Sequence, residues 1–219
     1  MQNGTDVLHS CLVQACKTIV RNCDILSDMG NREALLDGAK RCLIEKGYSK
    51  TTARDIAEAA GVSLAAIGYH FGSKESLLEQ AFMAAMEDWF DDDGIDTHDQ
   101  LPAGSLERFR TFFEEVIGSF PGQKPLLRLN IEMGLEGMHN PSLGSFMAKA
   151  VQFGRMGLAD ALAGLDFEKD GEQARQVGSF YSVLMTGLVA QYLMDQENFP
   201  NADDLAEGLH YIAERLRSA

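Results

Sequence analysis

Apolar residues recur at intervals of three and four along most of the chain, which is the spacing of a helix face. No stretch alternates apolar and polar residues strictly enough to indicate a strand, and no internal repeat is visible. The first clear helix begins near residue 31 and ends at Gly47, a residue suited to a helix C-terminus. Its apolar face consists of Leu35, Leu36, Ala39, Cys42 and Leu43. The pattern therefore predicts an all-α protein.

Three more helices follow closely, each with a recognisable start or stop. Thr52 is a suitable N-cap for the second helix because Asp55 follows three residues later, and Gly61 ends that helix. Ser63 is predicted to cap a short third helix, and Ser73 a long fourth helix. Two apolar rows predict burial of the fourth helix along a wide stripe: Leu77, Ala81, Ala85 and Trp89, and Leu78, Phe82, Met86 and Phe90.

Beyond an acidic linker at residues 91–104, the pattern predicts five further helices. Pro121 is expected to close the first of these, and Asn140 with Pro141 to open the third. The predicted spans are 106–120, 125–137, 141–164, 171–197 and a last helix after Pro200. The predicted organisation is a leader (1–30), a three-helix head with a helix-turn-helix (31–76) and a C-terminal helical bundle (77–219).

The leader has little periodicity and holds three of the four cysteines. Two interpretations of it remain. Met29 is a possible start codon, which would place the leader outside the native protein. Alternatively, residues 8–25 form an additional helix.

Charge is distributed unevenly along the chain. The formal net charge is −14 at pH 7. Residues 31–75 carry a net +1, whereas residues 76–219 carry −14. Because the Debye length is about 8 Å at physiological salt, only the local field acts strongly on a nearby polyanion. The predicted head can therefore approach phosphates even though the chain as a whole is acidic.

The remaining composition favours a cytoplasmic protein without a cofactor. The N-terminus lacks a basic segment followed by an apolar one, so no secretory signal is expected. The most apolar run, residues 178–194, is short for a membrane span and contains Ser, Thr and Gln, so a buried helix is predicted. The acidic linker lacks the carboxylate spacing of a calcium loop. The four cysteines include no CxxC pair, so we expect reduced thiols and no metal site. They are Cys11, Cys16, Cys23 and Cys42.

The stretch "TTARDIAEAAGVSLAAIGYHFGSKESLL", from Thr51 to Leu78, carries the most specific signal. Small Ala57 is expected where two helices cross, and Gly61 can adopt the positive φ of a tight turn. The wedge between the helices is expected to be filled by Ile56, Val62 and Ile67. The segment resembles the DNA-binding head of TetR-type transcriptional regulators.

This resemblance implies a homodimer that binds a double-stranded DNA operator of two inverted half-sites, with one third helix in each major groove. It also implies a small-molecule effector, of unspecified identity, whose binding among helices four to eight repositions helix four. The family's phosphate-contacting positions fall on Thr52, Tyr69, His70 and Lys74. Its groove-facing positions fall on Ser63, Leu64, Ala65 and Ala66.

The third helix departs from the family at two positions. Gly68 stands where an aromatic residue is frequent, and Leu64 where a basic or polar residue is frequent. From Ser63 to Phe71 the chain has no Arg, Lys, Asn or Gln, the side chains that perform most direct base readout. Phosphate contacts can still position the protein, while small apolar side chains touch thymine methyls and groove shape supplies further discrimination. DNA binding is therefore still expected.

Glycine is frequent in the predicted body helices, although each costs roughly 0.5–1 kcal/mol relative to alanine. Close helix contacts or space for a ligand would explain Gly134, Gly137, Gly154, Gly157, Gly164, Gly178 and Gly187. A ligand pocket is predicted to be lined by Phe112, Phe113, Met133, Phe153, Met156, Phe180, Tyr181 and Met185. Candidates for orienting a polar group are Arg128, Glu132 and His139. Ordinary core packing is the alternative for each of these residues.

The apolar residues of the predicted helix at 171–197 occupy more than one face, which indicates a second buried surface. Together with the last helix it is expected to form a four-helix contact across a two-fold axis. The predicted interface residues are Leu184, Leu188, Leu205, Leu209, Ile212 and Leu216.

These observations predict a ligand-released transcriptional repressor. A second hypothesis is a helical small-molecule-binding protein whose head is unable to bind DNA. An enzyme is not expected, because the sequence has no GxSxG, P-loop or HExxH motif and its five histidines are scattered.

Overall fold

The computed structural model describes residues 30–92, 95 and 100–218, so the predictions for the leader and for the middle of the acidic linker lie outside the described residues. The described chain contains eight α-helices and no strand. They are α1 (residues 30–46), α2 (Ala53–Ala60), α3 (Leu64–Phe71), α4 (Lys74–Asp92), α5 (Leu106–Gly137), α6 (Pro141–Ala163), α7 (Gly171–Met194) and α8 (Ala202–Arg217). The all-α prediction is confirmed.

The chain divides into two compact units that meet between Ala81 and Phe82. We use "head" for the described residues through Ala81 and "body" for those from Phe82. The predicted boundary, after residue 76, lies five residues before this division. α4 contributes its first turns to the head and its remainder to the body.

The head is built around a small apolar core. Leu35, Leu43 and Ile56 are fully or almost fully buried, and the predicted wedge residue Ile67 joins them, whereas Val62 is half-buried. Cys42 is also buried, and this burial raises the pKa of its thiol, which therefore stays protonated at neutral pH. Its position is that of a small core residue, consistent with the predicted reduced thiol.

The structure differs from the prediction at Pro121. Instead of separating two helices, Pro121 and Pro125 both lie inside the continuous helix α5. Each proline removes one backbone donor from the helix, but both are exposed on the solvent side. On the opposite side Phe120 and Leu126 are buried. Packing of this apolar side outweighs the local preference of proline to end a helix.

Buried polar contacts hold the body together. The guanidinium of buried Arg108 on α5 donates from Nε to the Ala161 carbonyl at 2.6 Å. The indole Nε1 of Trp89 donates to Ser119 Oγ at 2.8 Å, which ties α4 to α5. Each bond satisfies a polar group that would otherwise be costly to bury.

Within the body, α5, α6 and α7 pack on one another and α8 packs on α5. By length and composition alone, α7 is the one described helix that would suffice to cross a membrane. Only one side of it is buried, through a row that includes Leu188, Val189 and Tyr192. The predicted buried helix is thus present, but its other side is exposed.

Two glycine positions permit close helix contacts, one of the two expected reasons for the glycine content. A Cβ at Gly144 would lie 2.6 Å from the Gly137 carbonyl oxygen, where α5 turns into α6. A Cβ at Gly178 would overlap the Arg155 carbonyl, where α7 crosses α6. Neither position has room for a larger residue without movement of a backbone.

Candidate functional site

The turn between α2 and α3 has the geometry of a helix-turn-helix. Gly61 adopts φ 66°, a left-handed conformation that favours glycine. The Val62 N–H then donates to the Ala57 carbonyl at 3.1 Å, which closes α2. Ile56 of α2 and Ile67 of α3 are buried and hold the two helices together.

α3 has an inward face and an outward face. Ile67 and Phe71 are buried. The outward face carries no charge and is formed by Leu64, which is 53% exposed, Ala65, Gly68 and Tyr69, which is 76% exposed. Ala66 and His70 are half-buried at its border, and the His70 ring meets the Tyr69 ring edge-on with centroids 4.9 Å apart. The predicted groove-facing residues Leu64 and Ala65 therefore share one accessible surface with Tyr69.

Ser63 precedes α3 at the N-cap position, as predicted, but its side chain makes no capping hydrogen bond. The Ala66 N–H donates instead to the Ser63 backbone carbonyl at 3.0 Å. Ser63 therefore occupies the N-cap position but does not cap the helix with its side chain. The Ser63 side chain is exposed beside the outward face of α3.

The start of α2 is capped by Thr52 and Asp55 reciprocally. The Asp55 N–H donates to Thr52 Oγ1 at 3.2 Å, and the Thr52 N–H donates to Asp55 Oδ2 at 2.9 Å. Lys46 Nζ lies 2.7 Å from Asp55 Oδ1. The hydrogen bonds from Lys46 and Thr52 hold the pKa of the Asp55 carboxyl well below its usual range. Asp55 is therefore ionised, and Lys46 offsets its charge beside Thr52, a predicted phosphate-contacting position.

Lys74 lies beside the same helix start, although it is distant in sequence. Its Nζ donates to the Thr51 carbonyl at 3.4 Å and lies 3.6 Å from a Glu75 carboxylate oxygen. Thr51 is itself fixed, because its buried hydroxyl donates to the Gly47 carbonyl at 2.7 Å. The fold thus brings together two predicted phosphate-contacting positions, Lys74 and Thr52.

The basic residues of the head have different roles. Arg41 donates to the Ala59 carbonyl at 2.6 Å, and Arg32 donates to Gln80 Oε1 at 2.9 Å, so both connect helices of the head. Lys50 and Arg54 are exposed on either side of Thr52 in the chain. The sequence predicted weak phosphate attraction for Lys50 and a solvated surface charge for Arg54, and both predictions stay open.

The body contains a cavity of about 620 Å³ lined by residues of α4, α5, α6 and α7, with Ile95. Three of the eight predicted pocket residues line it: Phe112, Phe153 and Met185. Gly154 and Gly157 line it too, which is the second expected reason for the glycine content. Sequence reasoning missed the α4 contribution, because Met83, Met86 and Trp89 look like ordinary core residues.

The other predicted pocket residues lie elsewhere in the body. Phe113 and Met133 are fully buried in the core, whereas Met156 and Phe180 are exposed. Tyr181 is packed near Phe109, with centroids 6.2 Å apart, and its burial raises the pKa of its hydroxyl. The cavity lining also does not include Arg128, Glu132 and His139. Helical spacing identifies apolar faces, but it does not show which of them meets an unfilled space.

α7 and α8 expose apolar side chains that the described chain leaves uncovered. Of the predicted interface residues, Ile212 and Leu216 are exposed, and Leu184, Leu205 and Leu209 are half-buried. Leu188 is only 2% exposed, so the prediction for it is corrected: it packs in the core of its own chain. Three further apolar residues that the prediction did not include are exposed as well: Val183, Met194 and Tyr211.

The fold and the site together define an all-α protein with a helix-turn-helix head. Residues 35–81 match the family described as bacterial regulatory proteins, tetR family. The head therefore matches the tetR family through residues 35–81, and the body lies outside this match.

Curated relatives match through the head. The transcriptional repressor KstR2 of Rhodococcus jostii is 39% identical over 67 residues, which cover 31% of this chain and 33% of the relative. The repressor Rv1474c of Mycobacterium tuberculosis is 46% identical over 57 residues, 26% of this chain and 29% of the relative. The matched segment thus spans about a third or less of the length of these relatives.

Solved structures match over most of the chain. A TetR transcription regulator from Haloarcula marismortui has a TM-score of 0.60 and 20% identity, covering 81% of this chain and 95% of that chain. The multidrug binding protein EbrR, complexed with proflavin, has a TM-score of 0.55 and 20% identity, covering 83% and 98%. At this identity the likeness concerns the fold.

Proposed function

We propose that the protein is a DNA-binding transcriptional regulator, acting in the cytoplasm as a ligand-released repressor without enzymatic activity. The observation that carries this proposal is the exposed, uncharged outward face of α3 in a helix-turn-helix that matches the tetR family. The approach of Lys74 to the start of α2 supports it. The alternative of a ligand-binding protein with a DNA-incompetent head is not favoured, because the head is the part that matches named repressors.

On this surface we expect one set of groups to position the protein on the DNA backbone and another to read the base sequence. The Tyr69 hydroxyl, the Lys74 ammonium and the start of α2 at Thr52 are the groups that would hold phosphates. Lys50 and Arg54, which are exposed and close to Thr52 in the sequence, add positive charge near the start of α2. Leu64 and Ala65 would enter the major groove, where apolar side chains contact thymine methyls. The acidic body contributes no attraction to the duplex.

We expect a ligand in the body cavity to release the DNA by displacing α4. The helix runs without interruption from Lys74, beside the start of α2, to the residues that line the body cavity between Phe82 and Asp91. A ligand that displaces the cavity-lining part of α4 would displace Lys74 as well. The neighbour that binds proflavin supports a small-molecule effector for a protein of this fold.

Dimerisation is expected through the exposed apolar residues of α7 and α8. Val183 and Met194 on α7 and Tyr211, Ile212 and Leu216 on α8 are each more than half exposed in the single chain. Exposed apolar side chains of this kind are typical of an association site. A two-fold contact through it would present two copies of α3 to one operator.

Selection from random duplex DNA tests the proposed function. The purified full-length protein is incubated with the library at about 0.15 M salt, where non-specific phosphate binding is weakened. We expect enrichment of an inverted repeat, since a two-fold dimer reads two equal half-sites. Enrichment of single, unrepeated half-sites would contradict the dimer, and the absence of any enriched sequence would contradict the regulator.

Removing the phosphate-contacting groups should weaken DNA binding on every sequence alike. We expect Tyr69→Ala and Lys74→Ala each to reduce affinity by about tenfold and to flatten the dependence of affinity on salt. Fluorescence anisotropy on the selected operator and on an unrelated duplex at several salt concentrations measures both effects. Lys124→Ala, which removes an exposed lysine from α5, is the matched control and should change neither. A variant that altered base preference alone would refute the positioning role.

A further inference from the structure

The charged side chains that line the body cavity are all acidic among the described residues. Among the described residues that line it, Glu87 and Asp91 are the charged ones, and none is Lys, Arg or His. Both carboxylates are on α4, four residues apart and therefore on one face of the helix. Both are exposed, so they lie where the cavity opens to solvent.

The position of these carboxylates at the end of α4 increases the negative potential. The carbonyls of the last helical turn place partial negative charge there, and cations are the groups that such an end stabilises. α4 has no basic residue in its last turn. From Glu75 to Glu107 the sequence contains no Lys or Arg, while carboxylates are abundant. Among the described residues that line the cavity, none supplies the positive charge that would complement these carboxylates.

The lining of the cavity is aromatic and polarisable. Its aromatic residues are the buried Phe82, Trp89 and Phe112, the half-buried Phe90 and the exposed Phe153. The indole of Trp89 is held in place by its hydrogen bond to Ser119 Oγ at 2.8 Å. Four methionines add flexible apolar surface: Met83, Met86, Met147 and Met185. Aromatic faces attract cations as well as apolar groups, so this interior suits a cation with an apolar body.

We propose that the cavity binds lipophilic organic cations, with Glu87 and Asp91 as the residues that select positive charge. The remaining polar side chains of the lining, Asn130, Ser182 and Thr186, are neutral and do not offset the carboxylates. A volume of about 620 Å³ accommodates a drug-sized molecule. The role of such a cation as the effector rests on the proposed regulator function, whereas its binding does not.

Two ions of matched shape and opposite charge test the proposal directly. Tetraphenylphosphonium and tetraphenylborate differ chiefly in the sign of their charge, so apolar burial contributes similarly to both. Isothermal titration calorimetry on the full-length protein without DNA should show tetraphenylphosphonium binding at least about tenfold more tightly. Equal affinities, tighter binding of the borate or no binding of either ion would overturn the proposal.

Variants that neutralise the two carboxylates test whether Glu87 and Asp91 are responsible for the preference for cations. In the double variant Glu87→Gln with Asp91→Asn, tetraphenylphosphonium affinity should fall by about tenfold or more, and tetraphenylborate affinity should stay equal or rise. Both side chains are exposed, so the variant is expected to fold. Glu114→Gln on α5 removes an exposed carboxylate away from the lining and should leave both affinities unchanged. Unchanged phosphonium affinity in the double variant would refute the assigned roles.

The DNA selection tests the regulator function separately from the cation site. If an operator is enriched but neither ion binds, the regulator stands and the cation site is refuted. If the phosphonium ion binds through the two carboxylates but no operator is enriched, the cation site stands and the regulator function is refuted. If both hold, addition of tetraphenylphosphonium to the protein–operator complex should release the DNA, and retention of the complex would show that the cation is not the effector.

Discussion

Gly178→Ala should destabilise the body by about 1–3 kcal/mol, the range in which overpacking of a close contact falls. A Cβ at this position would overlap the Arg155 carbonyl oxygen and lie 3.3 Å from the Ala159 Cβ. These are backbone and short side-chain atoms of α6, which are unable to rotate away as a long side chain would. The better helix propensity of alanine, up to about 1 kcal/mol, offsets only part of this loss.

Gly118→Ala on α5 is the matched control, and the expected sign is opposite. Gly118 is in a helix interior and a Cβ there would meet nothing within 4 Å. This substitution should therefore stabilise the protein by about 0.5–1 kcal/mol. Urea denaturation followed by fluorescence of Trp89, the single tryptophan of the chain and a body residue, measures both changes. Equal shifts for the two variants would show that α6 and α7 are not in close contact at Gly178.

Local sequence signals predicted the helix boundaries well where one residue determines them. Thr52 forms its capping box, Gly61 has a positive φ, and Asn140 with Pro141 opens α6. In these cases the preference belongs to the residue itself and its immediate neighbours. The same reasoning was wrong at Pro121, because burial of Phe120 and its neighbours depends on packing partners that are distant in sequence.

The shared face of the predicted groove-facing residues was predictable because it is fixed by a short motif. Leu64, Ala65 and Tyr69 share one face of α3 simply through their helical spacing. The approach of Lys74 to the start of α2 was not readable from spacing, since it depends on how α1 positions Thr51.

A pocket in the body was predictable from the sequence, but most of the residues that line the cavity were not. Phe112 and Phe113 are adjacent and equally apolar, yet Phe112 lines the cavity and Phe113 fills the core. Which of two neighbouring faces meets empty space depends on the positions of three other helices. For the same reason Leu188 is buried in its own chain, while Val183, five residues before it on α7, is exposed.

Replacing thymine with uracil in the operator should weaken binding strongly, because the outward face of α3 offers few other means of reading sequence. Leu64, Ala65 and Gly68 have no side-chain donor or acceptor. What Leu64 and Ala65 can recognise is apolar surface, and the thymine methyl is the apolar group of the major groove. Uracil lacks this methyl but keeps the base pair and its hydrogen-bonding groups, so the substitution removes one interaction and preserves the rest.

The expected magnitude follows from burial of the methyl groups. Each buried methyl contributes about 0.8 kcal/mol, so one contact with Leu64 and one with Ala65 in each half-site together contribute about 3 kcal/mol. Full substitution of the half-site thymines should therefore reduce affinity by roughly 100-fold. Anisotropy titration of the selected operator measures the loss, and uracil placed only outside the half-sites is the control that should bind normally. Normal binding of the fully substituted operator would instead assign specificity to groove shape, which does not require the methyl groups to be contacted.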